Sequence, residues 1–71
     1  MQKDVPIKTD YITLGQFLKR INAIQSGGMA KWFLQEKQVS VNGEKEMRRG
    51  RKLYVGDQVF IEGCGKYIVT N

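Results

Sequence analysis

Apolar positions change their period partway along the chain. Leu14, Phe17, Leu18 and Ile21 recur at the i, i+3, i+4, i+7 spacing of a helix with one apolar face. Thr13, followed three residues later by Gln16, forms a capping-box pattern. Ile12 and Phe17 fall at the two positions of a hydrophobic staple. The spacing therefore predicts a helix that starts at about Leu14 and ends near Asn22. A turn and a second helix are expected within "NAIQSGGMAKWFLQEKQ", with Ser26 as N-cap and Ala30, Phe33 and Leu34 facing inward.

After Gln38 the period falls to two. Val39 and Val41 alternate with Ser40, and Asn42-Gly43 marks a type I′ hairpin turn. The returning strand is expected over residues 44 to 48. A turn at Gly56-Asp57 leads to a strand with Val59 and Ile61 on one face, and a last strand is expected near residues 66 to 70. Residues 1 to 11 read as an extended arm, with Pro6 compatible with a sheet edge. The expected fold class is α+β, two N-terminal helices packed on a small antiparallel sheet. Seventy-one residues make a single domain with a thin core.

Composition narrows the chemistry. There is no histidine and only one cysteine, so no intrachain disulfide and no ordinary zinc site is expected, and the commonest general base is missing. Cys64 lies between two glycines and reads as an incidental thiol. The acids show no paired spacing suited to acid–base catalysis. No apolar run approaches a membrane span, and residues 1 to 10 lack a signal-peptide stretch, so a cytoplasmic protein without a membrane partner is expected. No cofactor, metal or small-molecule substrate is expected, and the chain reads as non-catalytic and monomeric.

Charge is concentrated. The formal net charge is +5. Residues 45 to 52, "KEMRRGRK", hold five bases and one acid, a net +4 within eight residues. The plain alternative is a solvated loop, but four cations within residues 48 to 52 repel one another without a counter-charge, which favours a polyanionic partner. Arginine dominates, and its planar fork suits phosphate oxygens. "SGGMAK" adds a glycine-led helix start that can admit an anion. On its own this is a weak signal, and a plain cap is the simpler reading. Trp32 is expected to cover the edge of the core rather than stack on a base.

The order of helix, "SGG-x-AK" helix, "V-x-V-N-G" hairpin, basic run and "G-D-x-V" strand resembles the ribosomal-protein-S-four type RNA-binding domain, or alpha-L motif. The likeness is strongest to its short stand-alone bacterial YaaA-type members and spans about residues 12 to 63. The piece "VSVNGEKEMRRGRKLYVGDQV" carries most of it. The resemblance implies that the two helices and the neighbouring hairpin loop bind structured RNA, often ribosomal. Thr13, Leu14 and Gly15 stand where the family often has Arg-Leu-Asp, Gly27 stands where it commonly has arginine, and Lys37 where it commonly has glycine. These departures shift the expected contacts toward Lys19, Lys31 and the arginine-rich loop.

The expected RNA-binding set is Lys19, Ser26, Gly27, Gly28, Lys31, Asn42, Gly43, Lys45, Arg48, Arg49, Arg51 and Lys52. The partner is structured RNA, expected to be ribosomal, and the protein is expected on the ribosome or in its assembly. The alternatives are a protein-interaction module that docks an acidic partner, a DNA-binding module and, with least support, an enzyme.

Overall fold

The computed structural model describes residues 2–71. Strands β1 (Gln2–Pro6) and β2 (Tyr11–Thr13) precede helix α1 (Leu14–Arg20). A 3-10 turn (Gly27–Met29) leads into α2 (Ala30–Glu36). Five strands follow: β3 (Val39–Val41), β4 (Glu44–Lys45), β5 (Lys52–Tyr54), β6 (Gln58–Ile61) and β7 (Gly65–Thr70). The α+β class stands, but the helices are not N-terminal, because two strands come before them.

Nor is the sheet purely antiparallel. Its order is β1-β7-β6-β3-β4, and the edge strand β1 runs parallel to β7. A separate two-stranded sheet pairs β2 with β5. The extended arm is therefore part of the fold. Its Val5 and Ile7 are buried, and the Ile7 N–H donates to the Thr70 carbonyl at 2.8 Å. A core this thin gains from every apolar side chain it recruits, at about 25 cal/mol per Å² removed from water.

The local signals for α1 are realised. Thr13 accepts from the Gln16 N–H at 3.2 Å, and the Gln16 side chain accepts from the Thr13 N–H at 2.9 Å, which closes the capping box. Leu14, Phe17 and Leu18 are fully buried. Phe17 meets Tyr67 of β7 edge-on, with ring centroids 5.7 Å apart, so α1 sits against the inner face of the sheet. The helix ends at Arg20 with Ile21 as its C-cap, and Asn22 adopts a left-handed conformation, φ 63°.

The Asn42-Gly43 turn has positive φ at both residues, 52° and 86°, as a type I′ turn requires. The returning strand covers only residues 44 to 45, not 44 to 48. The Glu46 N–H still donates to the Val39 carbonyl at 2.9 Å, and beyond it the Met47 and Arg48 N–H groups turn back to the Glu46 carboxylate. Along β6 the burial alternates, with Val59 and Ile61 inside and Gln58 and Phe60 outside. The sheet thus has one face on the core and one open face.

Candidate nucleic-acid interface

Helix α1 anchors the arginine-rich loop by backbone hydrogen bonds. The Leu14 N–H donates to the Arg51 carbonyl and the Gly15 N–H to the Arg49 carbonyl, both at 2.8 Å. These are first-turn groups that a helix start leaves without intrahelical partners. The loop comes within ordinary contact distance of Gly15. A Cβ there would lie 3.4 Å from the Arg49 carbonyl oxygen, 3.6 Å from its Cβ and 3.7 Å from the Ala30 Cβ.

The loop is organised by an acid that the sequence reading passed over. Glu46 is the one buried charged side chain among the described residues, 6% exposed. Its Oε2 accepts from the Met47 N–H, the Arg48 N–H and Arg48 Nε, each at 3.1 Å. Its Oε1 accepts from Arg48 Nη2 at 3.1 Å and Arg51 Nη1 at 2.9 Å. The side-chain hydrogen bonds from Arg48 are the main reason the Glu46 carboxyl falls to a pKa of about 2, with Arg51 and the Arg48 N–H acting in the same sense against the cost of burial. The paired carboxylate in turn raises the pKa of Arg48.

This corrects the expectation that the loop's cations lack a counter-charge, since Glu46 supplies one to Arg48 and Arg51. The two differ in what they still offer. The Arg48 side chain is 77% exposed and spends only Nε and Nη2 on Glu46, whereas the Arg51 side chain is 27% exposed and serves mainly as a strut. The Arg49 side chain has no ion pair or hydrogen bond among the described residues and is exposed. Lys52 Nζ lies over the Tyr11 ring, 4.8 Å from its centroid.

Of the expected set, Gly27 and Arg49 share one recess. A shallow recess of about 340 Å³ is lined by Thr13, Gly15, Gln16, Gly27, Ala30, Arg49 and Gly50. It joins the start of α1, the glycine turn before α2 and the tip of the basic loop. Lys19 lies one helical turn beyond Gly15 on the same side of α1, and Lys31 follows Ala30. Both are exposed. Ser26 has the extended backbone of a cap, but its side chain makes no capping hydrogen bond. Gly28 lies open beside it.

Other members of the expected set lie elsewhere. Asn42 and Gly43 do not line the recess. The Asn42 side chain ties the hairpin turn to the next one, donating to Asp57 at 3.2 Å and accepting from the Gln58 N–H at 2.9 Å. Asp57 also accepts from the Tyr54 N–H at 2.8 Å. Lys45 pairs with Ser40 on the open face of the sheet. Trp32 does not cover the core's edge. It is 68% exposed, and Phe33 instead packs partly against the core. No helix among the described residues is long and apolar enough to cross a membrane.

Comparison with known proteins agrees with this architecture. A family model described as the S4 domain matches residues 5–70. The chain is also 62% identical over 71 residues to a protein of Bacillus subtilis (strain 168) named probable ribosome maturation protein RlbA, and the match covers 100% of both chains.

Proposed function

The chain belongs to the S4 domain family, and on that premise we propose that it is a non-catalytic RNA-binding protein that acts in ribosome maturation by holding structured ribosomal RNA. The observation that carries the reading is the recess where Gly15, Gly27 and Arg49 converge. The full-length likeness to a protein named for ribosome maturation supports the biological setting.

Binding is electrostatic in the first instance. Arg49 and the free edge of Arg48 meet phosphate oxygens, with Lys19, Lys31 and Lys52 at the margins. Gly27 and Gly28 let an RNA backbone come close to the start of the 3-10 turn. Each neutralised phosphate releases counterions. With roughly 4–6 phosphates contacted, log K should fall with log salt at a slope of about −3 to −5. The deep major groove of A-form RNA hides its base edges, so the recess reads shape more than sequence.

The deciding experiment is crosslinking in cells followed by sequencing of the bound RNA. Enrichment of one ribosomal or precursor region supports the assignment, and recovery of no RNA above background overturns it. A protein-docking reading draws on a different surface, the mainly apolar hollow formed by Ala23, Ile24, Met29, Trp32 and Phe33 and flanked by Glu36 and Lys37. A pull-down that survives nuclease treatment would favour it.

A further inference from the structure

The open face of the five-stranded sheet carries a second set of groups suited to RNA, distinct from the recess. One rung crosses all five strands: Lys45 pairs with Ser40, Ser40 with Phe60, Phe60 with Lys66, and Lys66 with Gln2. Every member projects away from the core. Phe60 is 45% exposed although it lies on β6, a central strand. With strands about 4.8 Å apart, Lys66 stands one strand from Phe60 and Lys45 two strands away on the other side. Ser40 and Gln58 put a hydroxyl and an amide beside the ring. Together with Gly43, Val59, Phe60 and Lys66 they line a hollow of about 310 Å³.

We propose that this face binds single-stranded RNA, with one base stacked on Phe60 and the flanking phosphates met by Lys66 and Lys45. An aromatic floor between two cations is the arrangement by which single strands are held without strict sequence choice, since every base offers a π-face. The polar groups of Ser40 and Gln58 can meet base edges that a single strand leaves open. Two acids share the face, and neither occupies the rung. Asp4 pairs across from Ile68, and Glu62 accepts from the Gln38 N–H at 3.3 Å. The inference takes its class of ligand from the RNA reading above but rests on different residues.

Two fluorescent probes separate the surfaces: a blunt RNA hairpin and a free oligouridine. Phe60→Ala should weaken oligouridine binding roughly ten-fold or more and leave hairpin affinity within about two-fold. Phe60→Tyr should keep oligouridine affinity, and Lys66→Gln should lower its salt slope by about 0.7. Phe60→Thr, which retains a strand-forming residue, should weaken oligouridine binding as the alanine does and guards against a folding artefact. Equal oligouridine affinity for the wild-type chain and both Phe60 truncations overturns the proposal. So does oligouridine binding that is lost on Arg49→Ala alone. A wild-type chain that binds oligouridine through Phe60 but ignores the hairpin defeats the recess reading and sustains this one.

Discussion

Glu46 and Arg48 form a paired contact between a buried acid and an exposed base two residues away: Oε2 to Nε and Oε1 to Nη2, both at 3.1 Å. The acid belongs to the segment whose positive charge sets the chain's electrostatic character, and it is the residue that gives that segment a shape. Glu46→Gln raises the formal net charge from +5 to +6, which on charge alone should strengthen binding to a polyanion. The opposite is expected. Arg51 loses its buried counter-charge, and the N–H groups of Met47 and Arg48 lose part of their acceptor. Thermal or denaturant unfolding should report a loss of about 2–3 kcal/mol. RNA affinity should fall with it at equal salt, because the loop no longer holds Arg49 at the recess. Tighter RNA binding by the variant would show that charge, not shape, governs the loop.

The same carboxylate predicts a pH dependence of definite sign. Its folded pKa of about 2 lies below the ordinary 4.5, so the folded state favours the ionised form. The stability this contributes is fully present above about pH 4.5 and is lost as pH falls toward 2. The difference in melting temperature between the wild-type chain and Glu46→Gln should therefore be constant from pH 7 to about pH 5 and shrink steadily below that. A difference that stays constant down to pH 2 would mean that Glu46 is not the titrating group.

Local signals were legible in the sequence and long-range ones were not. The capping box at Thr13 and Gln16, the inward Leu14, Phe17 and Leu18, and the Asn42-Gly43 turn are short-range patterns set by backbone sterics and helix period, and each appears as expected. The parallel pairing of β1 with β7 joins the two ends of the chain, and β2 with β5 joins segments some forty residues apart. No local period encodes either pairing. In the candidate site, the charge run was visible but its internal neutralisation was not. The available signal was one glutamate inside a basic run, with arginines two and five residues on. Trp32 lies 68% exposed because a helix this short has one inward face, and Phe33, only partly buried, takes the place beside the core.

Because Glu46 divides the arginines, their truncations should separate stability from binding. Arg51→Ala removes a half-buried strut and should destabilise the fold by about 1–2 kcal/mol, with RNA binding affected mainly through the loop. Arg49→Ala removes an exposed side chain with no partner among the described residues. It should leave the melting temperature nearly unchanged, weaken RNA binding and make the salt slope shallower by about 0.7–0.9. Filter binding across a salt series, run beside thermal melts, distinguishes the two. Equal effects of both truncations on the melting temperature would contradict the division of roles.

Gly15 sets how closely the loop sits on α1, and two substitutions there should have different outcomes. In Gly15→Ala the added methyl lies 3.4 Å from the Arg49 carbonyl oxygen, at the limit of ordinary contact, while the helix gains up to about 1 kcal/mol in propensity. The methyl fits without a clash, so stability should match wild type or exceed it by up to about 1 kcal/mol. In Gly15→Val the two further methyls crowd Arg49 and Ala30 or fill the recess that these residues line, and overpacking costs about 1–3 kcal/mol. The easiest relief is to push the loop outward, which breaks the Gly15-to-Arg49 hydrogen bond and opens the recess. Hairpin RNA affinity should therefore drop for the valine variant and hold for the alanine, with amide exchange at Gly15 accelerating only in the former. If valine left both the exchange rate and the affinity untouched, the close seating of the loop on α1 would not be what shapes the RNA site.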